Sequence, residues 1–307
     1  MNRALLLVFA IFLLLFSHQV FAAGIGISPV TFEISGNPGE VIENNIKVFN
    51  PTDATVGVKM EVEDIAPTGE EGFVMVEPPE TETYSLARWI TAEPQEFDLA
   101  PGGEQFVKFT LIIPENAEPG GHYGTVLAGT KAIVGNGATG ALLTQRVGAL
   151  VLLTVPGLAK EELVVKEFKA TSTYSEYGPI IFVAKFENLG SVHVKPTGYV
   201  TVTNWLGKKI GDVPIAPRNI LPGGLRIFEM VLNKKWLWAG KYTATLSGSY
   251  GSQSLSFPSA VITFWAFPWK AGLGILLLVI FLILTRKRWL TAFKVIVGGE
   301  KAIKNRN

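Results

Sequence analysis

The sequence predicts an all-β protein, in which two tandem Ig-like β-sandwich domains precede one C-terminal transmembrane helix. Three observations lead to this prediction. Short stretches alternate between apolar and polar residues, turn signals rich in Pro, Gly and Asn separate them, and one long apolar run lies near the C-terminus. Alternation with a period of two is typical of half-buried antiparallel strands, and short strands at regular spacing favour a sandwich.

The N-terminus is typical of a secretory signal peptide. Arg3 precedes an apolar stretch that ends at Phe16, and Val20-Phe21-Ala22 provides a cleavage site of small residues. An uncleaved anchor is the alternative. Because the apolar stretch is short for a membrane span and polar residues follow it, we place a signal peptide at residues 1–22, with cleavage after Ala22 or Ala23.

The alternating pattern is clearest in the first half of the mature chain. Every second position is apolar at Val56, Val58, Met60 and Val62, and the same period recurs over residues 107–113. These strands place a first Ig-like sandwich at residues 23–157. Residues 141–155 are expected to form one long apolar strand after a Gly-rich loop at residues 135–140, whose order the sequence leaves open.

The second half repeats this order of strands and turns. In the first half a strand that ends at Asn50 precedes Leu99-Ala100-Pro101-Gly102-Gly103. In the second half a strand that ends at Asn188 precedes Leu221-Pro222-Gly223-Gly224. We therefore predict a related second sandwich at residues 158–262, with the boundary near residues 156–162.

The apolar segment near the C-terminus is predicted to cross a membrane once, over residues 263–285. Its strictly apolar part, residues 271–284, is shorter than the ~20 residues of a usual span, so the flanking residues have to complete it. Trp265 and Trp269 suit a membrane interface, and Lys270 can extend its ammonium group into water. A buried core helix is the alternative, which the flanking residues oppose.

Basic residues follow the apolar run at once, as Arg286, Lys287 and Arg288. Residues 286–307 hold seven Lys or Arg and one Glu, a net charge of +6. An excess of positive charge marks the cytoplasmic side of a span. The expected protein is thus single-pass in the cell membrane, with an extracellular ectodomain and a basic cytoplasmic tail.

Charge divides the ectodomain. Residues 23–156 carry 18 acidic and 6 basic residues, a net charge of −12, whereas residues 157–262 carry 7 acidic and 12 basic residues, a net charge of +5. This split indicates either two different partners or two domains that attract each other.

The sequence predicts no catalytic, cofactor or metal site, and no nucleic-acid partner. The chain has no Cys, which excludes thiolate ligands and Cys nucleophiles. Neither His122 nor His193 has a ligand partner at metal-site spacing, so structural or surface roles are expected for both. No Gly-x-Ser-x-Gly motif occurs, although a Ser-His-Asp triad stays open because triads assemble in space. We expect a non-enzyme.

Acidic residues cluster in a Pro-rich stretch that contains Glu77, Glu80 and Glu82. Paired carboxylates can hydrolyse glycosides, and carboxylate oxygens can hold calcium. Carboxylates in a solvated loop keep ordinary acidity, however, and no EF-hand-type loop is present. These three residues are therefore candidate partner-binding residues. Trp205, Trp236 and Trp238 could stack on sugar rings, but packing is the commoner role of such aromatic residues.

Several stretches resemble a known family. In the first half they are Val48-Phe49-Asn50-Pro51-Thr52, Phe97-Asp98-Leu99-Ala100-Pro101-Gly102-Gly103 and residues 113–124, and in the second half residues 186–198 and 219–224. With the order of signal peptide, two sandwiches, span and basic tail, these resemble the WxL-interacting proteins of Gram-positive cell surfaces. The resemblance implies a first domain that binds peptidoglycan and a second domain that binds a partner or host protein.

The expected function is that of a membrane-anchored extracellular binding or adhesion protein, which engages the cell wall or another surface protein. The alternative is a chaperone-like scaffold that assembles exported subunits by β-strand addition. Turn chemistry of this kind recurs in many Ig-like sandwiches, including pilus chaperones, so both hypotheses stay open at this point.

Overall fold

The computed structural model describes residues 24–77, 84–131 and 144–304, and side chains up to residue 286. The predicted signal peptide at residues 1–22 and the loop at residues 135–140 lie outside the described residues. The fold class is confirmed: the chain is mostly β, with sandwich-like sheets and one apolar C-terminal helix. Contacts divide the chain into two units, whereas the predicted boundary at residue 157 stays a prediction.

Unit 1 contains the residues up to Glu162 together with two later loops, Asn188–His193 and Ile220–Gly224. Besides a short 3-10 helix at Ala87–Trp89, its elements are β1 (Gly26–Ser28), β2 (Thr31–Ser35), β3 (Val41–Phe49), β4 (Val56–Thr68), β5 (Phe73–Glu77), β6 (Ile90–Glu93), β7 (Glu96–Leu99), β8 (Glu104–Ile112), β9 (Gly120–Thr130) and β10 (Arg146–Val155).

Two sheets form the sandwich of unit 1. One has the strand order β1-β3-β8-β6, and the other has the order β2-β10-β9-β4-β5, with β7 also paired to β4. The chain changes sheets between β1 and β2, and β2 runs parallel to β10. The alternation predicted around Val58 and Phe109 is confirmed, because both side chains are fully buried in the core between the sheets. The long apolar strand is shorter than predicted and begins at Arg146.

Unit 2 contains the remaining described residues. Its elements are β11 (Leu163–Ala170), β12 (Tyr174–Ser175), β13 (Ile180–Asn188), β14 (Thr197–Asn204), β15 (Lys209–Pro214), β16 (Leu225–Leu232), β17 (Gly240–Tyr250), β18 (Leu255–Ser256), β19 (Ala260–Ala266) and α1 (Trp269–Lys304). Strand β13 ends in Asn188, which belongs to unit 1. A three-stranded sheet, β11-β13-β16, accompanies a sheet of order β12-β19-β17-β14-β15, with β18 also paired to β17.

Aromatic rings fill the core of unit 2. Phe182 of β13 meets Phe264 of β19 with ring centroids 5.8 Å apart, and Tyr242 of β17 stacks on the same Phe264 at 5.4 Å. Phe264 and Ala266 are fully buried. Residues 263–266 therefore complete β19, which corrects the predicted start of the span at residue 263. The alternating burial of β19 ends at Ala266, and the helix begins at Trp269.

The repeated turn motif has the same backbone geometry in both halves. Gly102 and Gly223 adopt φ angles of 67° and 69°, in the left-handed region that favours glycine. The N–H of Asn50 donates to the carbonyl of Gly103 at 2.9 Å, and the N–H of Asn188 donates to that of Gly224 at 3.1 Å. In each half, the Pro-Gly-Gly turn is thus hydrogen-bonded to the Asn at the end of the strand that precedes it in the motif.

Candidate binding surfaces

A buried carboxylate organises the region where the acidic stretch of unit 1 begins. Asp64 of β4 is 8% exposed and accepts three hydrogen bonds, from Ser85 Oγ at 2.6 Å and from the N–H groups of Leu86 and Ala87 at 2.8 and 2.7 Å. Two of these donors begin the 3-10 helix. With its oxygens occupied in this way, Asp64 fixes the chain that returns to the sheet.

His122, for which the sequence predicts a structural or surface role, is buried. Its ring is 4% exposed, and its Nε2 and Nδ1 atoms lie 3.0 and 3.3 Å from the backbone carbonyl oxygens of Glu118 and Ser85. The ring also packs on Trp89, with centroids 4.4 Å apart. Among the described residues, no group of His, Asp or Glu is arranged to hold a metal ion.

Tyr123 and Asp64 line a small cavity. The hydroxyl oxygen of Tyr123 accepts the N–H of His193 at 2.7 Å, and burial raises the pKa of this phenol well above its ordinary value. The cavity has a volume of about 60 Å³ and is also lined by Tyr84, Glu77 and Leu221. That volume holds a few water molecules and is far below the ~300 Å³ of a typical ligand pocket.

The predicted acidic residues are only partly visible. Glu77 is half-buried at the end of β5, where it pairs in register with Asp64. It therefore belongs to a strand and not to the solvated loop that the sequence predicts for it. Glu80 and Glu82 lie outside the described residues.

Strand β5 forms an apolar edge that the sequence analysis did not single out. Phe73 and Met75 are 65% and 52% exposed, and Val76 is 39% exposed. Within the described ranges, β5 pairs with β4 on one side only. A run of four apolar residues, Phe73-Val74-Met75-Val76, was the signal that could have located it, because an edge strand with a solvated face usually alternates.

Backbone N–H and C=O groups point to alternate sides along a strand, and this alternation shows which groups of β5 face away from β4. The N–H of Met60 donates to Gln95 beside β7, whereas the carbonyl of Gly57 accepts from Lys131 beside β9. Even-numbered residues of β4 therefore point toward β5, and Ala66 and its register partner Met75 face each other. By alternation, the N–H and C=O groups of Val74 and Val76 point to the outer edge. Among the described residues, no other strand pairs with these outward-facing groups.

The C-terminal helix contains one segment that is long and apolar enough to cross a membrane. Trp269–Arg286 has a mean hydropathy of 1.9, and none of it is buried against the rest of the protein. Trp265 lies in β19 and Trp269 in the first turn of α1, and both are about half exposed. Arg286 is exposed at the end of this segment, and Lys287 and Arg288 continue the helix backbone.

The first turn of α1 is attached to the sandwich of unit 2. Lys270 Nζ lies 2.9 Å from Glu176 Oε2 and 5.5 Å from the centroid of the Trp269 ring. The N–H of Phe267 donates to the carbonyl of Ser175 at 2.9 Å. Lys270, predicted to extend its ammonium group from the membrane, thus also joins the helix to the loop after β12.

No protein-family model matches the chain, and no curated protein matches it. The solved structures that the chain resembles in fold include bacterial chaperones. The class 5 fimbriae chaperone CfaA is 14% identical, covering 80% of this chain and 100% of its own, with a TM-score of 0.39. The E. coli chaperone DraB is 12% identical, covering 78% of this chain and 96% of its own, with a TM-score of 0.38. The Pseudomonas aeruginosa chaperone CupB2 is 10% identical, covering 79% of this chain and 100% of its own, with a TM-score of 0.36.

Proposed function

We propose that this protein is a membrane-anchored surface protein that binds a segment of another exported or surface protein along the outer edge of β5. The observation that supports this proposal is the exposure of Phe73 and Met75 on β5, a strand that pairs on one side only among the described residues. Soluble proteins usually protect such edges with charges, prolines or covering segments, because an open apolar edge invites another strand.

The chemistry of β5 describes the partner. An added strand would make main-chain hydrogen bonds with Val74 and Val76, while its alternate side chains would contact Phe73 and Met75. Glu70 and Glu71 lie in the turn before β5, and Glu77 ends the strand. An extended apolar segment with basic flanks therefore suits this edge best.

The anchor and its orientation belong to the same proposal. The apolar segment Trp269–Arg286 would span the cell membrane, and the basic residues that follow would keep the C-terminus in the cytoplasm. The sandwiches would then lie outside, where the predicted signal peptide directs them. The resemblance to WxL-interacting proteins remains part of this proposal. No catalytic step is included in it.

Paired substitutions test the proposed edge. Phe73→Lys places a charge on the edge strand. Phe106→Lys places one on β8, an interior strand where the native residue is 58% exposed, against 65% for Phe73. Full-length protein purified from its own cells should lose its co-purifying exported protein with Phe73→Lys and keep it with Phe106→Lys. Equal capture by both variants, or retention on purified cell-wall sacculi without any protein partner, would contradict the proposal.

A further inference from the structure

Exposed aromatic side chains gather at one end of unit 2. Trp205 is 67% exposed in the loop between β14 and β15, and Trp236 and Trp238 are 70% and 89% exposed in the loop between β16 and β17. Burial in a core, the role that the sequence favours over sugar stacking for these three residues, is contradicted by their exposure. Together with the exposed residues Leu206 and Phe267, they are called the aromatic end below.

Strand register places these loops beside the start of α1. Asn204, which precedes Trp205, pairs with Tyr242, and Gly240 pairs with Ala266 at the end of β19. Only residues 267 and 268 separate β19 from the helix, and the three residue steps from Ala266 to Trp269 span at most about 11 Å. The aromatic end is therefore the end of the sandwich from which the helix leaves.

The exposed rings are held in place by their neighbours. Trp236 meets Tyr177 edge to face, with centroids 5.2 Å apart, and the carbonyl of Trp238 accepts the hydroxyl of Tyr242 at 2.9 Å. Leu237, between the two tryptophans, is 4% exposed and anchors the loop. The loop thus buries one apolar side chain and presents two indole rings to the outside.

Positive charge accompanies these rings. The same loops and the start of β17 carry exposed Lys208, Lys234, Lys235 and Lys241. The acidic side chain at this end, Glu176, is paired with Lys270 of α1. Indole rings with neighbouring lysines match the interface of a bilayer, where the ring meets lipid carbonyl groups and the ammonium groups meet phosphates.

We propose that the aromatic end lies in the outer interface of the same bilayer that α1 spans. Trp205, Trp236 and Trp238 insert between lipid headgroups, and the lysines of these loops contact lipid phosphates. The inference rests on the proposed membrane span, which supplies the continuity between β19 and the lipid. Unit 2 is then seated on the membrane surface, and its two aromatic loops act as a second attachment besides the helix.

The absence of Cys allows a direct test with single-cysteine variants of the full chain. Trp238→Cys and Leu206→Cys each carry an environment-sensitive nitrobenzoxadiazole label at the aromatic end. Gln253→Cys carries the same label in the exposed turn after β17, at the other end of that strand, and Leu278→Cys carries it inside the helix. Each variant is reconstituted in vesicles of phosphatidylcholine and phosphatidylglycerol, with and without lipid that bears a nitroxide quencher near the headgroup.

Lipid-borne quencher should remove most of the emission at positions 238 and 206, and none at position 253. The label at position 278 monitors the span with quencher placed deeper in the chain. Quenching at position 278 with no quenching at position 238 would overturn this inference and leave the span intact. Absence of quenching at both would overturn the span as well. Emission at position 238 that responds to dilution with unlabelled chain, and not to lipid quencher, would show that a second copy covers this end and would also overturn the inference.

Discussion

Asn50 and Asn188 make equivalent hydrogen bonds at the two turns that the sequence repeats. Nδ2 of Asn50 donates to the carbonyl of Leu99 at 3.2 Å, and Nδ2 of Asn188 donates to that of Ile220 at 2.8 Å. Each also donates to the residue four positions later, Ala54 at 2.7 Å and Val192 at 2.8 Å. Both side chains are fully buried, so each amide joins a strand end to its Pro-Gly-Gly turn.

Replacing either amide should destabilise the fold. Asn50→Ala or Asn188→Ala leaves buried carbonyl groups without a donor, which costs on the order of 2–4 kcal/mol for a site with several lost hydrogen bonds. Asn204 provides the matched control, because its side chain bonds only to N–H groups in an exposed turn. Chemical denaturation of the full chain in detergent measures the free energy of unfolding. It should fall by a large amount in the first two variants and by less than about 1 kcal/mol in Asn204→Ala. Equal effects at all three positions would contradict the assigned roles.

Because the phenol of Tyr123 is buried, we expect the folded protein to lose stability in alkaline solution. Burial raises the pKa of this phenol, so the folded protein holds the phenol proton more tightly than the unfolded chain does. The stability linked to this proton is complete below the ordinary tyrosine pKa of about 10 and is lost as pH rises above it. Tyr123→Phe also removes the acceptor for the His193 N–H, a loss of about 1–2 kcal/mol near neutral pH.

Difference titration measures this directly. The ultraviolet absorbance of phenolate, compared between the native chain and Tyr123→Phe, should show that Tyr123 does not ionise near pH 10 while the protein is folded. The free energies of unfolding of the native chain and Tyr123→Phe should converge as the pH rises beyond that value. Ionisation of Tyr123 at its ordinary pKa would mean that the hydroxyl is accessible to water and that the buried position is wrong.

Acidic side chains should govern the salt dependence of capture. Residues 23–156 carry a net charge of −12, so association with a basic segment should weaken as ionic strength rises. Replacing Glu77, Glu80 and Glu82 together with Gln should slow association and reduce this salt dependence. Surface plasmon resonance with the captured partner measures both, and the melting temperature serves as the control. Capture that is insensitive to salt and to these changes would place all of the binding energy in the apolar edge.

Membrane orientation gives a separate prediction. In a chain without Cys, Gln253→Cys should react with a membrane-impermeant maleimide on intact cells, because unit 2 is proposed to lie outside. Asn307→Cys should react only after the membrane is permeabilised. Labelling of Asn307→Cys on intact cells would reverse the proposed topology.

The strand pattern was predictable from the sequence because burial in a sandwich alternates with the pleat. Two local signals carry this prediction. One is the alternation around Val58 and Phe109, whose side chains are buried in the structure. The other is the pair of motifs that contain Asn50 and Asn188, which form hydrogen-bonded turns in the structure. Other features depend on residues that are distant in sequence. The parallel pairing of β2 with β10 is one, and the extension of β19 to Ala266, set by burial against β13 and β17, is another.

The candidate surfaces were less predictable for the same reason. An aromatic residue has the same local pattern in a core as on a surface, and only the packing of the whole unit leaves Trp236 and Trp238 exposed. Likewise, the apolar run in β5 reads as a buried strand until the sheet order shows that it ends the sheet. Exposure and edge position are tertiary properties, which a period of two does not encode.

A photo-crosslinker at position 75, in the full chain in intact cells, tests the central proposal most directly. Replacing Met75 with p-benzoylphenylalanine puts the reactive group on the exposed face of β5, and the same replacement of Phe106 on β8 is the control. The account predicts a light-dependent adduct with an exported protein from position 75 and none from position 106. It also predicts loss of this adduct with Val76→Pro, which removes an outward N–H and leaves the pairing with β4 in place. No protein adduct from position 75, or equal adducts from both positions, would contradict binding through the β5 edge.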